Sequence, residues 1–573
     1  MTDWLRTGLL IGMAAIAIML VVEWGEFQEQ RRPKVETRTT LSSDGRERPG
    51  AVMDGDTPAT SSETASDIPE PEDADVTSPG EELTASRRAQ LVTVHTDRLE
   101  VIIDTHGGDI VKVALPQHAA ELDSPEPLVM LNRNESILYI AESGLIGKNG
   151  TVQNGRRPVF SVDQTEYRLA DRADSLQIDL TLQQENGVSI IKRFVFQRDS
   201  NLIGVNYLID NQSNEVWSAQ LYGQIKRDDH DPATSGGGLG MRSFLGPATT
   251  TDEDRYRKFD FEDVEEGKCK LPGDGCEMRK TGGWLAMVQH YFISAWIPDP
   301  EATHFYYFRP SSLPDTYLLG FRSPMTRVQP GEEQVISASF YAGPKDIYRL
   351  EEIAPHLERT IDYGPLWFIC LPLFYFLSWI HGFVSSWAIS IILLVVCVKA
   401  AFFHLSAAGF RSMAKMRKFA PRMTELKERY GDNRQKFSEE MIKLYKKEKI
   451  NPMKGCLPML LQMPVFIALY WVLMESVELR HASFLWINDL SVKDPFLILP
   501  IVYALTFWFQ MKLNPPAQDP TQQKIMQMMP FIFGIMFVFF PAGLVLYWVV
   551  NGILSIAQQY YITRQIERGE SKA

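Results

Sequence analysis

Apolar and polar positions change rhythm several times along the 573 residues. Residues 7–22 form one apolar run between Trp4, Arg6 and Trp24. Its only Ala-x-Ala (Ala15, Ala17) lies mid-run and its start is barely basic, which disfavours a cleaved signal peptide. Tryptophan at both ends suits interfacial belts, so residues 1–25 read as an N-terminal transmembrane anchor. Residues 26–90 are rich in Pro, Ser, Thr, Asp, Glu and Gly, and no aromatic residue stands between Phe27 and Tyr139. Such a stretch buries too little surface to offset chain entropy and reads as a disordered tether.

Residues 91–350 alternate with period two. Leu176, Ile178, Leu180 and Leu182 interleave with polar residues, Asn186-Gly187 follows, and Val188, Ile190 and Phe194-Val195-Phe196 return. That is a hairpin with its turn signal. Leu99, Val101, Ile103 and Ile203, Val205, Tyr207 alternate likewise. The pattern predicts one large antiparallel β-sandwich. The glycine-rich stretches at His106 and at 235–238 open no helix after a strand, so they read as turns and not phosphate loops.

The period lengthens after Leu366. Residues 366–384 carry Trp367, Phe368, Phe374, Trp379 and Phe383, broken by Pro372, and read as an amphipathic helix lying in the interface. Five spans follow at 387–405, 456–477, 495–511, 526–540 and 542–562. Each approaches the ~20 residues needed to cross a bilayer. The last two meet at Phe540-Pro541-Ala542-Gly543, a sharp turn. The fold class is therefore a polytopic α-helical membrane protein, an anchor plus a five-helix core, with a large all-β domain.

Charge fixes the orientation. Residues 1–365 hold 36 basic and 58 acidic side chains; residues 366–573 hold 22 and 13. The loop 406–455 has 14 basic against 6 acidic residues. The positive-inside rule makes it cytoplasmic, leaving both termini, the tail 563–573 included, inside and residues 26–365 outside. The loop reads as a helical hairpin, with Phe410, Met413, Phe419 and Met423 on one face, Phe437, Met441 and Leu444 on the next helix, and Arg411, Lys415, Arg417 and Lys418 among its cations. Of the five cysteines, Cys269 and Cys276 share a turn-rich loop of the acidic half. A local disulfide and two free thiols both fit there. No Cys or His set has metal-ligand spacing.

Lys399 is the one basic residue inside the five spans. A cation at that depth needs water, a partner, or a stem that reaches the interface. It lies six residues from the expected cytoplasmic end, about 9 Å at helical rise. Tyr547, Asn551, Ser555 and Gln558 share one face of the last span, and Gln462 lies at similar depth. Such residues either bind helices to one another or, with Lys399, line a hydrated groove. No acid faces Lys399 on a neighbouring span. A Ser/Lys peptidase would need a nearer serine than Ser390, nine residues away, so no enzyme, cofactor, nucleotide or metal is expected. Inverted repeats and multiple membrane charges, the marks of a transporter, are also absent from the sequence.

Several motifs occur in order through the rear half: Ser412-Met-Ala-Lys-Met-Arg417, Asn451-Pro452, Gly455-Cys456-Leu-Pro458, Gln462-Met-Pro464-Val-Phe466, Trp486-Ile-Asn-Asp489-Leu490, Asp494-Pro495, Met529-Pro530 and Phe540-Pro541-Ala-Gly543-Leu-Val-Leu-Tyr547-Trp. Together they resemble the YidC insertase family of bacterial inner membranes. Gly283-Trp284 and Ala295-Trp296-Ile-Pro298 resemble the periplasmic domain of its proteobacterial members. The resemblance implies a membrane insertase and chaperone for nascent inner-membrane proteins, acting alone or with the Sec translocon, and meeting the ribosome and the lipid bilayer. It implies a hydrophilic groove built from Lys399, Gln462, Tyr547, Asn551 and Ser555, and an apolar slide at Met463, Phe466, Met529 and Phe533. The family usually carries Arg at the groove position; Lys399 keeps the charge and loses bidentate carboxylate recognition. The position one turn earlier, often polar in the family, is Val395.

Overall fold

A computed structural model describes residues 67–70 and 89–567, apart from 123, 135, 153–154, 233–242, 274, 432, 449–452 and 515–519. The expected anchor, most of the tether and the glycine run 235–238 lie outside the described residues.

Among the described residues, those from Leu91 to Pro344 form two facing sheets of eleven and eight strands, and every strand pairing is antiparallel except Leu91–His95 beside Glu166–Arg168. The larger sheet sets Thr303–Pro310, Thr316–Arg322, Trp217–Asp228 and Leu138–Ile146 side by side. Alternation decides which side chains meet between the layers. In the hairpin Ser175–Gln183 with Val188–Gln197, Ile178, Leu180, Val188, Ile190, Phe194 and Phe196 are buried. Gly187 turns the corner at φ 89°, a region that favours glycine. The same alternation carries one lysine, Lys192, onto the buried face at 0% exposure. Cys269 and Cys276 are disulfide-bonded.

The helices are α1 (Phe261–Glu265), α2 (Ile347–Ile353), α3 (Trp367–Val384), α4 (Trp387–Ala401), α5 (Phe403–Lys418), α6 (Ala420–Tyr430), α7 (Arg434–Lys447), α8 (Met453–Glu475), α9 (Ile498–Leu513), α10 (Pro520–Met536) and α11 (Ala542–Glu567). One apolar cluster runs from the sandwich into the bundle. It joins Trp284, Ile293 and Tyr341 to Leu350 of α2, Cys370 and Phe374 of α3, Leu394 of α4 and Leu469 of α8. Helix α3 buries Cys370, Phe374, Leu377 and Ile380, at helical spacing, and leaves Phe368, Trp379 and Phe383 exposed.

Local chemistry fixes several joints. Asp346 caps α2, its carboxylate accepting from the amides of Tyr348 and Arg349. The Asp494 carboxylate accepts from the amides of Phe496 and Leu499 and from the Trp486 indole, and so pins the start of α9. At the turn into α11 the Gly543 amide donates to Leu490 O at 2.9 Å. A Cβ there would stand 3.2 Å from that oxygen, a crowded approach that suits glycine.

Three expectations change. The hydropathy run 387–405 is not one helix: α4 ends at Ala401, and α5 departs at 69° after the break at Phe402. Lys399 is thus two residues from its helix end, not six. Second, the loop 406–455 is not one hairpin. Helix α5 packs Ala407 and Phe410 against Ile562 of α11, leaving α6 and α7 as the two-helix unit. The reason is composition: α5 carries small and aromatic residues on the side facing the bundle, which the basic residues mask in a linear reading. Third, residues 67–70 of the expected disordered tether are ordered on the sandwich, held by buried polar contacts. Among the described residues, Gly364–Val384 and Ala542–Ile566 suffice by length and composition to cross a membrane, and the bent pair α4–α5 makes a third candidate. Within those residues the apolar stretches Gln462–Glu475, Ile498–Leu513 and Gln523–Phe539 are shorter.

Candidate functional site

Lys399 stands in the last turn of α4, where the run of Ile, Leu and Val ends. Its Nζ donates to Ser555 Oγ of α11 at 2.7 Å. Ser555 Oγ in turn donates to Asn551 O at 2.7 Å, one turn back on its own helix. The Asn551 side-chain oxygen accepts from Gln462 Nε2 of α8 at 2.8 Å. Gln462 also pairs with the hydroxyl of Tyr547, which is 2% exposed. Five polar side chains from three helices therefore form one connected line inside an apolar bundle. The i, i+4 spacing of Tyr547, Asn551 and Ser555 places all three on one face of α11. Gln558, assigned to the same face, turns instead to the carbonyl of Phe403, beyond the break after α4, at 3.2 Å.

Among the described residues no carboxylate pairs with Lys399. A hydroxyl oxygen supports an ammonium through one lone pair and leaves its charge uncompensated. The arrangement thus presents a single cation, oriented by α11, that an anionic group can still approach. The direct bond to Ser555 also shows where the stem goes: across to α11.

The four hairpin cations, Arg411, Lys415, Arg417 and Lys418, all lie on α5 and are exposed. They form the outer side of a helix that packs on the bundle. Of the four slide residues, Met463 is exposed at 41%. Phe466 packs on Trp548, ring centroids 4.3 Å apart, and Phe533 meets Phe507 edge-on at 5.8 Å. Met529 is half-buried. The bare apolar surface of α10 is offset from these positions and consists of Ile525, Met528, Phe531, Ile532 and Ile535.

Several buried charge sites have no counterpart in the sequence reading. In the sandwich, Arg157 makes a bidentate pair with Asp109 and lies 3.4 Å from Glu142, while Lys192 Nζ donates to Gly107 O and Ser143 O at 3.1 Å each. The signal was present: a lysine on the apolar phase of an alternating strand. At the foot of α8, Lys345 pairs with Glu475. No periodicity marks that pair.

Comparison with known proteins agrees with this architecture. Residues 91–376 match the YidC periplasmic domain, and residues 379–570 match the 60Kd inner membrane protein family. A membrane protein insertase YidC of Cellvibrio japonicus is 52% identical, with both chains fully covered. That of Saccharophagus degradans is 50% identical over 99% of this chain and 100% of its own. The chain belongs to the YidC family. It is a membrane protein insertase, with the family's large β-sandwich preceding a helical inner-membrane region. A solved YidC insertase structure with its first transmembrane domain resolved is 16% identical, covering 83% of this chain and 93% of its own at a TM-score of 0.36. Of the residues in the motifs, Gln462 and Tyr547 fall on the polar line just described.

Proposed function

We propose that this insertase takes the short polar or acidic tail of a nascent membrane segment onto Lys399 and releases the apolar part along α8 and α10 into lipid. The carrying observation is the uncompensated ammonium of Lys399, aimed by Ser555. A carboxylate entering a low-dielectric site loses several kcal/mol of hydration, and a positioned cation offsets part of that loss. Apolar burial and the membrane potential supply the driving force, without nucleotide hydrolysis. Lysine acts here as a point charge, so tails of varied geometry fit.

In this reading the chain spans the membrane with both termini in the cytoplasm, residues 26–365 in the periplasm and α3 along the interface. The excess of basic residues in 406–455 supports that orientation. The exposed cations of α5, with α6 and α7, meet the ribosome or anionic lipid, and the Sec translocon is a partner for larger substrates. Met463 and the exposed Met528, Phe531 and Ile535 serve the slide; thioether and ring surfaces accept varied apolar partners.

The test is insertion of a single-span substrate with an acidic N-terminal tail into proteoliposomes, read by protease protection. Lys399→Ala should lower the yield at least tenfold, and less for a neutral tail. Full insertion by a folded Lys399→Ala protein overturns the proposal.

A further inference from the structure

Residues Asp67–Glu70 lie on the larger sheet of the sandwich, far from the strands that adjoin them in sequence. Asp67 is 5% exposed and Pro69 is buried. The carboxylate of Asp67 takes Lys226 Nζ at 2.8 Å, Ser311 Oγ at 2.8 Å and the Ser312 amide at 2.8 Å. Its carbonyl accepts from Gln224 Nε2 and from Arg309, both at 3.3 Å. The carbonyl of Glu70 accepts from Arg322.

The receiving side is supported from within the sandwich. Gln224, Lys226, Arg309 and Arg322 come from three neighbouring strands, and Ser311 and Ser312 from the turn between two of them. Gln224 is 0% exposed and held from beneath, its amide donating to Glu142 at 2.5 Å and its oxygen accepting from Tyr307 at 2.7 Å. Lys226 is 6% exposed at its side chain, and Asp67 is its paired carboxylate among the described residues. A lysine so buried is costly unless an anion joins it. Burial opposes the Asp67 carboxylate as well, yet Lys226 and the two serine donors overcome it and hold its pKa below the usual aspartate value. The contacts are to one carboxylate and to backbone carbonyls, with Lys226, Arg309 and Arg322 as the cations, a set suited to an acidic peptide segment.

We infer that this cradle is a peptide-binding site for an acidic segment of the form Asp-x-Pro-Glu, and that residues 67–70 of the chain are its resident ligand. Because ligand and site share one chain, a free peptide must compete against an effective concentration set by the connecting residues, about millimolar for short flexible linkers. A partner bearing the same chemistry would enter by displacing the resident segment.

The experiment uses full-length protein in detergent with a fluorescent peptide of residues 63–72, read by anisotropy. In a chain whose own residues 63–72 are replaced by Gly-Ser of equal length, the peptide should bind saturably below millimolar concentration. It should bind wild-type protein at least tenfold more weakly. A peptide carrying Asp67→Asn should lose at least tenfold on the unaltered replacement chain, which requires no mutation in the cradle. Lys226→Met in that chain should do the same. The inference is overturned by no saturable binding, by equal binding to wild type, or by equal binding of the Asn peptide. Equal binding of a scrambled acidic peptide also overturns it, because it would mark a nonspecific basic surface.

Discussion

Lys345 Nζ stands 2.7 Å from Glu475 Oε2, and both side chains are at most 3% exposed. The pair joins the end of the last sandwich strand to the last residue of α8. Ser243 Oγ donates to the other Glu475 oxygen at 2.6 Å, and Lys345 also reaches Thr360 O at 3.4 Å. His290 adds a ring contact to Met474 O at 2.9 Å. The sandwich and the helix are thus clamped by a desolvated ion pair.

Removing one partner leaves a buried charge. Lys345→Met should destabilise by roughly 3–5 kcal/mol, the usual cost of an uncompensated buried ion, whereas Lys345→Met with Glu475→Leu should recover most of it. Thermal midpoints of the full-length protein in detergent provide the measurement. A double variant as unstable as the single one would show that the clamp acts through packing and not charge.

Ser555 aims Lys399. Ser555→Ala deletes one charge-assisted hydrogen bond and frees the ammonium to turn. The loss of about 1.5–3 kcal/mol of orienting energy should lower insertion of an acidic-tail substrate by about tenfold or more. Adding Ser555→Ala to Lys399→Ala should cost nothing further, since the serine acts through the lysine. Additive effects in protease-protection assays would give Ser555 an independent role.

Lys192 makes the sandwich sensitive to pH. Burial pushes its ammonium down to about 7 from the ordinary 10.5, with Asp109 pulling it back up and Arg157 pushing further down. Between those values the unfolded chain holds the proton and the folded chain releases it. Stability from this group therefore rises with pH from about 7 to about 10 and is lost on the way down. Lys192→Met does not titrate. Its unfolding midpoint relative to wild type should be most favourable at pH 7 and fall behind as pH rises toward 10. Parallel curves across that range would sink the assignment.

Period-two alternation from 91 to 344 made the β-sandwich legible, since a half-buried strand must alternate whatever it faces. Hydropathy likewise marked the helical region, and ordered motifs its family. The break after Ala401 was not legible, because Phe402 is as apolar as its neighbours and hydropathy carries no bend. Lys192 was visible as an irregular letter in a regular strand, but its partners Asp109, Glu142 and Arg157 come from three other segments. The tether reading failed at Asp67 because composition describes the average of a stretch, while four residues suffice for docking.

The sequence by itself determined local matters: which segments are strands or apolar helices, where turns fall, and that one cation, Lys399, sits among apolar neighbours. These follow from periodicity and from the cost of burying charge, which act residue by residue. Only the tertiary structure decided the pairings. Ser555 lies 156 residues beyond Lys399, Asn551 lies 89 beyond Gln462, Glu475 lies 130 beyond Lys345, and Gln224 lies 157 beyond Asp67. Hydrogen bonds are short and directional, so such partners are fixed by how helices and sheets pack, which no local pattern encodes.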